Sequence, residues 1–387
     1  MSRWFQSLLS RRDILRVGAG SAAALVGAQA FGQAPMPAGM DHSQMAAAPA
    51  TPPATPKGHG GHGGNLMVGT VDHVRNGFDP MQVLTDWDTG KVSRLPGGQT
   101  LREYTITAQE KEIEIAPGIF FPAWTYNGRV PGPTLRCTEG DRLRITFLNH
   151  SSHPHTIHFH GVHAAEMDGV PGAGPGEIQP GGTFVYEFDA EPFGCHLYHC
   201  HATSLKRHVH KGMYGAFIVD PKGGRPPARE FMMLQNAFDT NFDGGNEVYA
   251  VNTVGFEFAR RPIPVKKGEL IRIYLINIIE FDLINGFHLH ANFFNYYDTG
   301  TTLDPTSRIV DTITQGQGQR GILEFRYKFA GQFMFHPHIS EFTELGWMGL
   351  FNVVEGANYA AALKEVGLDA AWDRRATQGS TAKGQGV

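Results

Sequence analysis

Only three of the 387 residues are cysteine, so no disulfide framework can hold this chain together. Charge is sparse as well, at 18% of residues, with 33 Lys plus Arg against 37 Asp plus Glu and no basic run. That balance lacks the electrostatic attraction nucleic-acid binding requires, so nucleic acid is not an expected partner. No apolar stretch reaches the ~18 residues of a membrane-crossing helix. The mostly apolar run at residues 17–30 has fourteen. With 48 Gly and 24 Pro the chain is dense in turn signals, which favours short strands over coiled coils or helical bundles.

The first thirty residues read as an export signal. Arg3 and Arg11-Arg12 precede a Gly/Ala/Val-rich stretch that ends in the cleavage pattern Ala28-Gln29-Ala30. The adjacent arginines resemble a twin-arginine signal, a route for proteins that fold before export, often with their metal. A soluble periplasmic protein beginning near Phe31 is expected, with 29 basic against 36 acidic residues and a formal charge of −7. Residues 31–65 are Ala/Pro/Gly-rich and read as a linker, the start of an N-terminal extension over 31–97. The linker holds Met36, Met40, His42, Met45, His59 and His62. Thioether and imidazole suit transient copper capture, although a low-complexity tail without a role is the simpler reading.

Short alternating stretches such as residues 143–148 and 183–188, bounded by Gly, Pro and Asp, predict strands. After the turn-forming run at 221–227, a second half repeats the plan, with strands expected near 269–277, 321–327 and 350–354. Glu139-Gly140-Asp141 before Leu143-Arg144-Ile145 is matched by Lys267-Gly268-Glu269 before Ile271-Arg272-Ile273. An all-β chain of two similar β-sandwiches follows, one over 98–222 and one over 228–355. The tail, 356–387, is expected to carry one helix over 358–374, which Gly367 weakens.

Histidine is the abundant functional residue. Fifteen of the 19 lie in four clusters holding six His-x-His pairs. Residues two apart on a strand project to one face, so His158/His160, His199/His201, His288/His290 and His336/His338 each aim two imidazoles at one point. Four such pairs, two per half, are hard to explain by core packing, and eight converging imidazoles make a metal cluster. Cys200, between His199 and His201, faces the other way and needs a second site. His208 and Met213 follow in a Cys-x7-His-x4-Met pattern, and His155 lies off the parity of His158. Two His, one Cys and a weak Met form the ligand set of a blue-copper electron-transfer centre. His153 and His210 are left over and read as solvent-exposed. Cys137 and Cys195 are either a disulfide or two free thiols.

The text His158-Phe159-His160-Gly161, Asp168-Gly169-Val170-Pro171-Gly172, Ile178-Gln179-Pro180-Gly181-Gly182-Thr183 and Tyr198-His199-Cys200-His201 resembles two-domain multicopper oxidases, relatives of laccases and copper nitrite reductases. The resemblance covers residues 100–355. It implies two cupredoxin-like Greek-key sandwiches and about four copper ions per chain, one blue and three in a cluster. His158 and His288 would hold the lone cluster copper; His160, His199, His201, His290, His336 and His338 would hold the coupled pair. A small-molecule reductant or redox protein would give electrons, dioxygen would accept them, and a homotrimer would place a cluster at each chain boundary. By motif position Asp168, and more weakly Glu344, would relay protons, although Asp168 equally suits a simple Asp-Gly turn. Nitrite reductases are resembled in the blue site's placement in the first domain and in the run from Glu341 to Gly346. They carry an Asp where this chain has His158, and they need only three His at the catalytic copper. A non-enzymatic copper-binding or electron-carrier protein is the remaining alternative, and it leaves eight His unexplained. Cupins also place His-x-His on strands, but have no use for the Cys-His-Met loop.

Overall fold

The computed structural model describes residues 66–378, so the expected signal and the Met/His-rich linker lie outside the described residues. Four sheets are layered with three hydrophobic cores between them. The first outer sheet runs in the order Lys91–Arg94, Thr100–Ala116, Arg142–Asn149, Thr183–Asp189, and Ile119–Tyr126 pairs with its long second strand. The inner sheet of that half orders Trp87–Asp88, Thr134–Thr138, Tyr214–Asp220, Gly194–His199 and His158–Phe159. In the second half the inner sheet is Val248–Val251, Arg229–Phe238, Ile271–Asn277, Arg320–Phe325, Phe294–Asp298, Ser307–Val310. Its outer sheet is Ile263–Lys266, Gly349–Val354, Gly331–His336, Ile284–Leu289, Thr312–Gly316.

Side-chain alternation builds the layers. Arg142–Asn149 buries every second residue, so Leu143, Ile145 and Phe147 enter the first sandwich core while the arginines face out. Ile271–Asn277 is buried on both faces: Ile271, Ile273 and Leu275 fill the second sandwich, and Tyr274 and Ile276 fill the core between the two halves. The repeated turn is one device used twice. Gly140 and Gly268 both adopt positive φ, at 85° and 82°. The acid that follows takes the N–H three residues back, Thr138 to Asp141 and Lys266 to Glu269, and pairs with an arginine from the neighbouring parallel strand, Arg102 or Arg229.

A buried ion network joins the halves. Glu230, fully buried, accepts from Arg136 at 2.9 Å, Arg272 at 2.8 Å and the Tyr274 hydroxyl at 2.9 Å, and Arg136 also grips Asp220. Burial alone would raise the Glu230 pKa, but the two guanidinium groups hold it below the usual range. Removing the carboxylate would strip each arginine of one buried partner, leaving Arg136 with Asp220 and Arg272 with Glu324.

Three expectations are revised. The chain is not strictly all-β: four-residue helices at His73–Asn76, Pro80–Val83 and Glu257–Arg260 and longer ones at Leu205–His210 and Ser340–Glu344 fill connections. The C-terminal helix is two, Tyr359–Glu365 and Ala370–Gln378, because Gly367 turns the chain at φ 75°. Neither this tail nor residues 66–97 is a loose appendage. Met81, Leu84, Leu363, Leu368 and Trp372 share the second core, and the Trp372 indole donates to the Met81 carbonyl at 2.7 Å. All three cysteines are free and buried. Cys137 and Cys195 sit on strands that flank Tyr214–Asp220, two strand spacings apart, about 10 Å, beyond the ~7 Å a disulfide spans. Among the described residues no helix is long and apolar enough to cross a membrane.

Two buried histidines outside the metal-compatible groups make the fold acid-sensitive. Burial pushes His196 and His210 down to about 4 from an ordinary 6.5. The unfolded chain therefore takes up protons first. Stability is complete above pH 6.5 and falls as pH drops towards about 4, by on the order of 3 kcal/mol per group. Urea unfolding at stepped pH should show this slope, and His210→Gln should flatten it.

Candidate metal centres

His155, Cys200 and His208 converge in the first sandwich from three separate segments. His155 is fixed by its bridge to Ile178, Cys200 follows the strand Gly194–His199, and His208 lies on the helix Leu205–His210. The two Nδ1 atoms are 3.1 Å apart, and the Cys200 Sγ lies 3.1 Å from His208 Nδ1 and 3.7 Å from His155 Nδ1. Met213 is fully buried beside them; its carbonyl accepts from the Cys200 N–H and its N–H donates to the His208 carbonyl. The Thr156 N–H donates to Sγ at 3.3 Å.

The protonation of this cluster suits a metal. Burial pushes the Cys200 thiol up to about 11 and the imidazoles down to about 3 for His155 and about 4 for His208. A neutral buried thiol therefore faces neutral rings, and a cation among them would displace the thiol proton. At His155 the tautomer follows from counting protons. The single Ser151 hydroxyl hydrogen goes to Glu110, so Ser151 Oγ must accept from His155 Nε2–H at 2.8 Å, which leaves Nδ1 bare towards the cysteine. Two imidazoles and one thiol in a buried group, with the Met213 backbone bonded to it, match the donor preferences of copper.

The remaining eight imidazoles form two sets of four. His158 and His199 are cross-strand partners, as are His288 and His336, and the other members lie just past those strand ends. Five of the six ring pairs in each set have centroids close together, 5.1–5.9 Å apart in the first and 4.8–5.7 Å in the second. His160 and His199 bring Nε2 atoms within 3.3 Å, and His290 and His336 within 2.9 Å. Backbone carbonyls, which only accept, hold Nδ1 of His158, His199, His288 and His336 through Asp168, Cys200, Asp311 and Pro337 at 2.6–3.0 Å. Those four rings thus carry their proton on Nδ1 and present a bare Nε2. Burial keeps His160 at about 2 and His199 at about 4, neutral and able to ligate.

The two sets sit on different layers, the first at an edge of the inner sheet and the second on the outer sheet of the second half. Among the described residues the metal-compatible groups draw from one set or the other, never from both. His290 and His338 are exposed, whereas His199 is buried.

Asp168 lies against the first set, its Oδ1 3.1 Å from His158 Nδ1 and its carbonyl 2.8 Å from the same atom. Gly169 is needed there: at φ 68° a Cβ would lie 1.9 Å from the Ile157 carbonyl oxygen. Glu344 is exposed at the end of Ser340–Glu344, and Thr343 reaches His336 instead, at 3.3 Å from Nδ1. His210 is not exposed as expected; it is buried among Phe121, Phe242 and Phe281 and accepts the Asp239 N–H. His153 is half-buried, its ring tilted against Trp124 with centroids 4.4 Å apart. Trp124, Ser151 and Glu110 were not singled out in the sequence. Nothing local marks them, since Trp124 packs edge-on to both His155 and His208 from a strand thirty residues upstream of the first. Two carboxylate groups elsewhere are closed by their own chain. Arg261 bridges Asp79 and Glu257, and Asp239 and Glu247 accept from the loop between them.

Both halves match multicopper oxidase domain models, over residues 107–224 and 225–357. The fold is similar to a crystal structure of a multicopper oxidase, with TM-score 0.72 and 58% identity over 74% of this chain and 100% of that one. It is also similar to a blue copper oxidase from Nitrosomonas europaea, with TM-score 0.58 and 27% identity over 70% and 95% of the two chains. The copper-containing nitrite reductase of Neisseria gonorrhoeae is 30% identical over 251 residues, 59% of this chain and 62% of that protein. The chain spans less than two thirds of the length of the curated relatives it matches. Paired histidines, a buried Cys-His group and two matched domains together place this chain in the multicopper oxidase family, with homology to both laccase-like oxidases and copper nitrite reductases.

Proposed function

We propose that this copper-binding oxidoreductase passes electrons singly from a reductant at a blue centre to dioxygen at a three-copper centre built between chains, in a ring of three. The observation that carries the reading is the pair of four-histidine faces, each with two rings of fixed tautomer, lying on different layers of one chain with the second face open. A face that is exposed in one chain and matched by a face elsewhere on the same chain makes a heterologous contact, which either closes into a ring or propagates as a filament, and the family resemblance points to a ring of three. A single catalytic copper would use three of these eight histidines.

Copper in these sites would supply one-electron transfer and a place for the acceptor to bind. The chain's own residues do the rest. Cys200 is covalently continuous with His199 and His201, and the His199 Nδ1 donates back to the Cys200 carbonyl, so the two centres are linked by a few bonds. Two shallow recesses, about 320 and 180 Å³, meet at Trp124, His153 and Arg207, and His208 lines the smaller, which gives a reductant an approach to the blue centre. Reducing dioxygen to two waters consumes four protons, and in this reading Asp168, partly open to solvent and touching His158, would carry them.

Nitrite reduction is the second reading, favoured by the Neisseria relative. The loaded protein separates the two. Oxygen uptake with a one-electron donor, about four copper ions per chain and a trimer in sedimentation support the oxidase. Anaerobic nitrite turnover with about two copper ions per chain would establish the reductase. Cys200→Ser should remove the intense visible band and turnover while leaving copper in the histidine centre, and a retained band would overturn the blue-site assignment. In stopped-flow reoxidation Asp168→Asn should be slowed on the order of a hundredfold with blue-copper reduction unchanged. Unaltered reoxidation would leave Asp168 a turn residue.

A further inference from the structure

The segment from Ser151 to His155 holds a hydrogen-bonded chain that the electron-transfer reading does not use. Glu110, on the strand Thr100–Ala116, points one carboxylate oxygen at three donors of this segment. Its Oε1 accepts the Ser151 hydroxyl at 3.0 Å, the Ser152 N–H at 2.8 Å and the Ser152 hydroxyl at 2.6 Å, with His153 Nδ1 at 3.2 Å. An oxygen that receives three donors is a carboxylate oxygen and not an acid hydroxyl. Ser151 Oγ, its own hydrogen committed to Glu110, accepts from the His153 N–H at 3.0 Å and from His155 Nε2 at 2.8 Å. Glu110, Ser151 and His155 therefore form one directed relay that ends on the bare Nδ1 facing Cys200.

We infer that Glu110, acting through Ser151, is a positioning residue that sets the reduction potential of the blue centre, an inference that rests on His155 being one of its ligands. A hydroxyl polarised by a carboxylate draws on the imidazole N–H and makes the opposite nitrogen a stronger donor. A stronger donor, with a negative charge behind it, favours the more positive, oxidised metal over the reduced one. The relay should thus hold the potential down, making the centre a better reductant of its partner histidine centre and a weaker oxidant of its donor. His208 bonds to the Thr203 backbone, whose N–H goes to Glu177 at 2.5 Å, so a separate carboxylate stands behind that ring and the Glu110 relay acts through His155 alone.

Glu110→Gln keeps the shape and removes the charge. Redox titration of the copper-loaded protein, followed at the thiolate absorption band, should show it oxidising a one-electron mediator about tenfold more favourably, about 59 mV for a one-electron couple. Its copper(II) affinity should weaken about tenfold in competition with a chelator. Ser151→Ala breaks the relay while leaving the carboxylate in place. In that background most of the Glu110→Gln shift should disappear, because the two residues act as a unit. A potential unmoved by Glu110→Gln, or an equal shift with and without Ser151, would overturn the relay while leaving the blue centre standing. A parent protein with full copper and no thiolate band would overturn both.

Discussion

A neutral imidazole has two nitrogens and one proton, and the arrangement of this protein depends on where that proton is held. Five of the ten histidines in the candidate centres give it to a fixed acceptor: His155 to Ser151, and His158, His199, His288 and His336 to backbone carbonyls. Each such bond decides which nitrogen is left bare and aims it. The carbonyls come from loops whose own geometry is tightly set. Asp168 can present its carbonyl to His158 only because Gly169 lies against the Ile157 backbone with no room for a side chain. At His160 and His199 burial then removes the competing protonated form, so these rings are ready before any metal arrives.

The layered fold divides this chemistry. The candidate blue-site residues share a core with the first sandwich, where Cys200 and Met213 pack with Tyr126, Phe159 and Tyr198. The first histidine face lies on the edge strand of the inner sheet, and the second on the outer sheet of the other half. An apolar core and the Arg136–Glu230–Arg272 network fix the halves together. In the proposed reading these two faces are half-sites held at a fixed relation, each to be completed by a neighbouring copy of the chain.

The sandwiches and the metal-ligand groups were legible in the sequence because both rest on short-range periodicity. Strand alternation and the His-x-His spacing are the same period of two, and the repeated Gly-Asp and Gly-Glu turns mark the start of equivalent strands. What was illegible depends on distant segments. His210 reads as a spare surface histidine until Phe121 and Phe281, from other strands and loops, close around it. Glu110 looks like one of several acids on a long strand, and its contact with residues 151–153 comes from the parallel register that sets Ala108 opposite Asn149, a long-range pairing that no local pattern encodes. The C-terminal helices were visible as an apolar pattern, but not their anchor, a Trp372 indole bonded to a carbonyl nearly three hundred residues earlier.

Complementation between two defective chains addresses the inter-subunit centre directly. One variant would carry His160→Ala and His199→Ala, losing the first face; the other would carry His288→Ala and His336→Ala, losing the second. Each alone should hold blue copper without oxygen turnover. Co-expressed in one assembly, they should recover oxygen uptake, with about a quarter of the boundaries intact if the chains assort at random. No recovery in mixed assemblies of confirmed composition would mean that each centre draws both faces from a single chain.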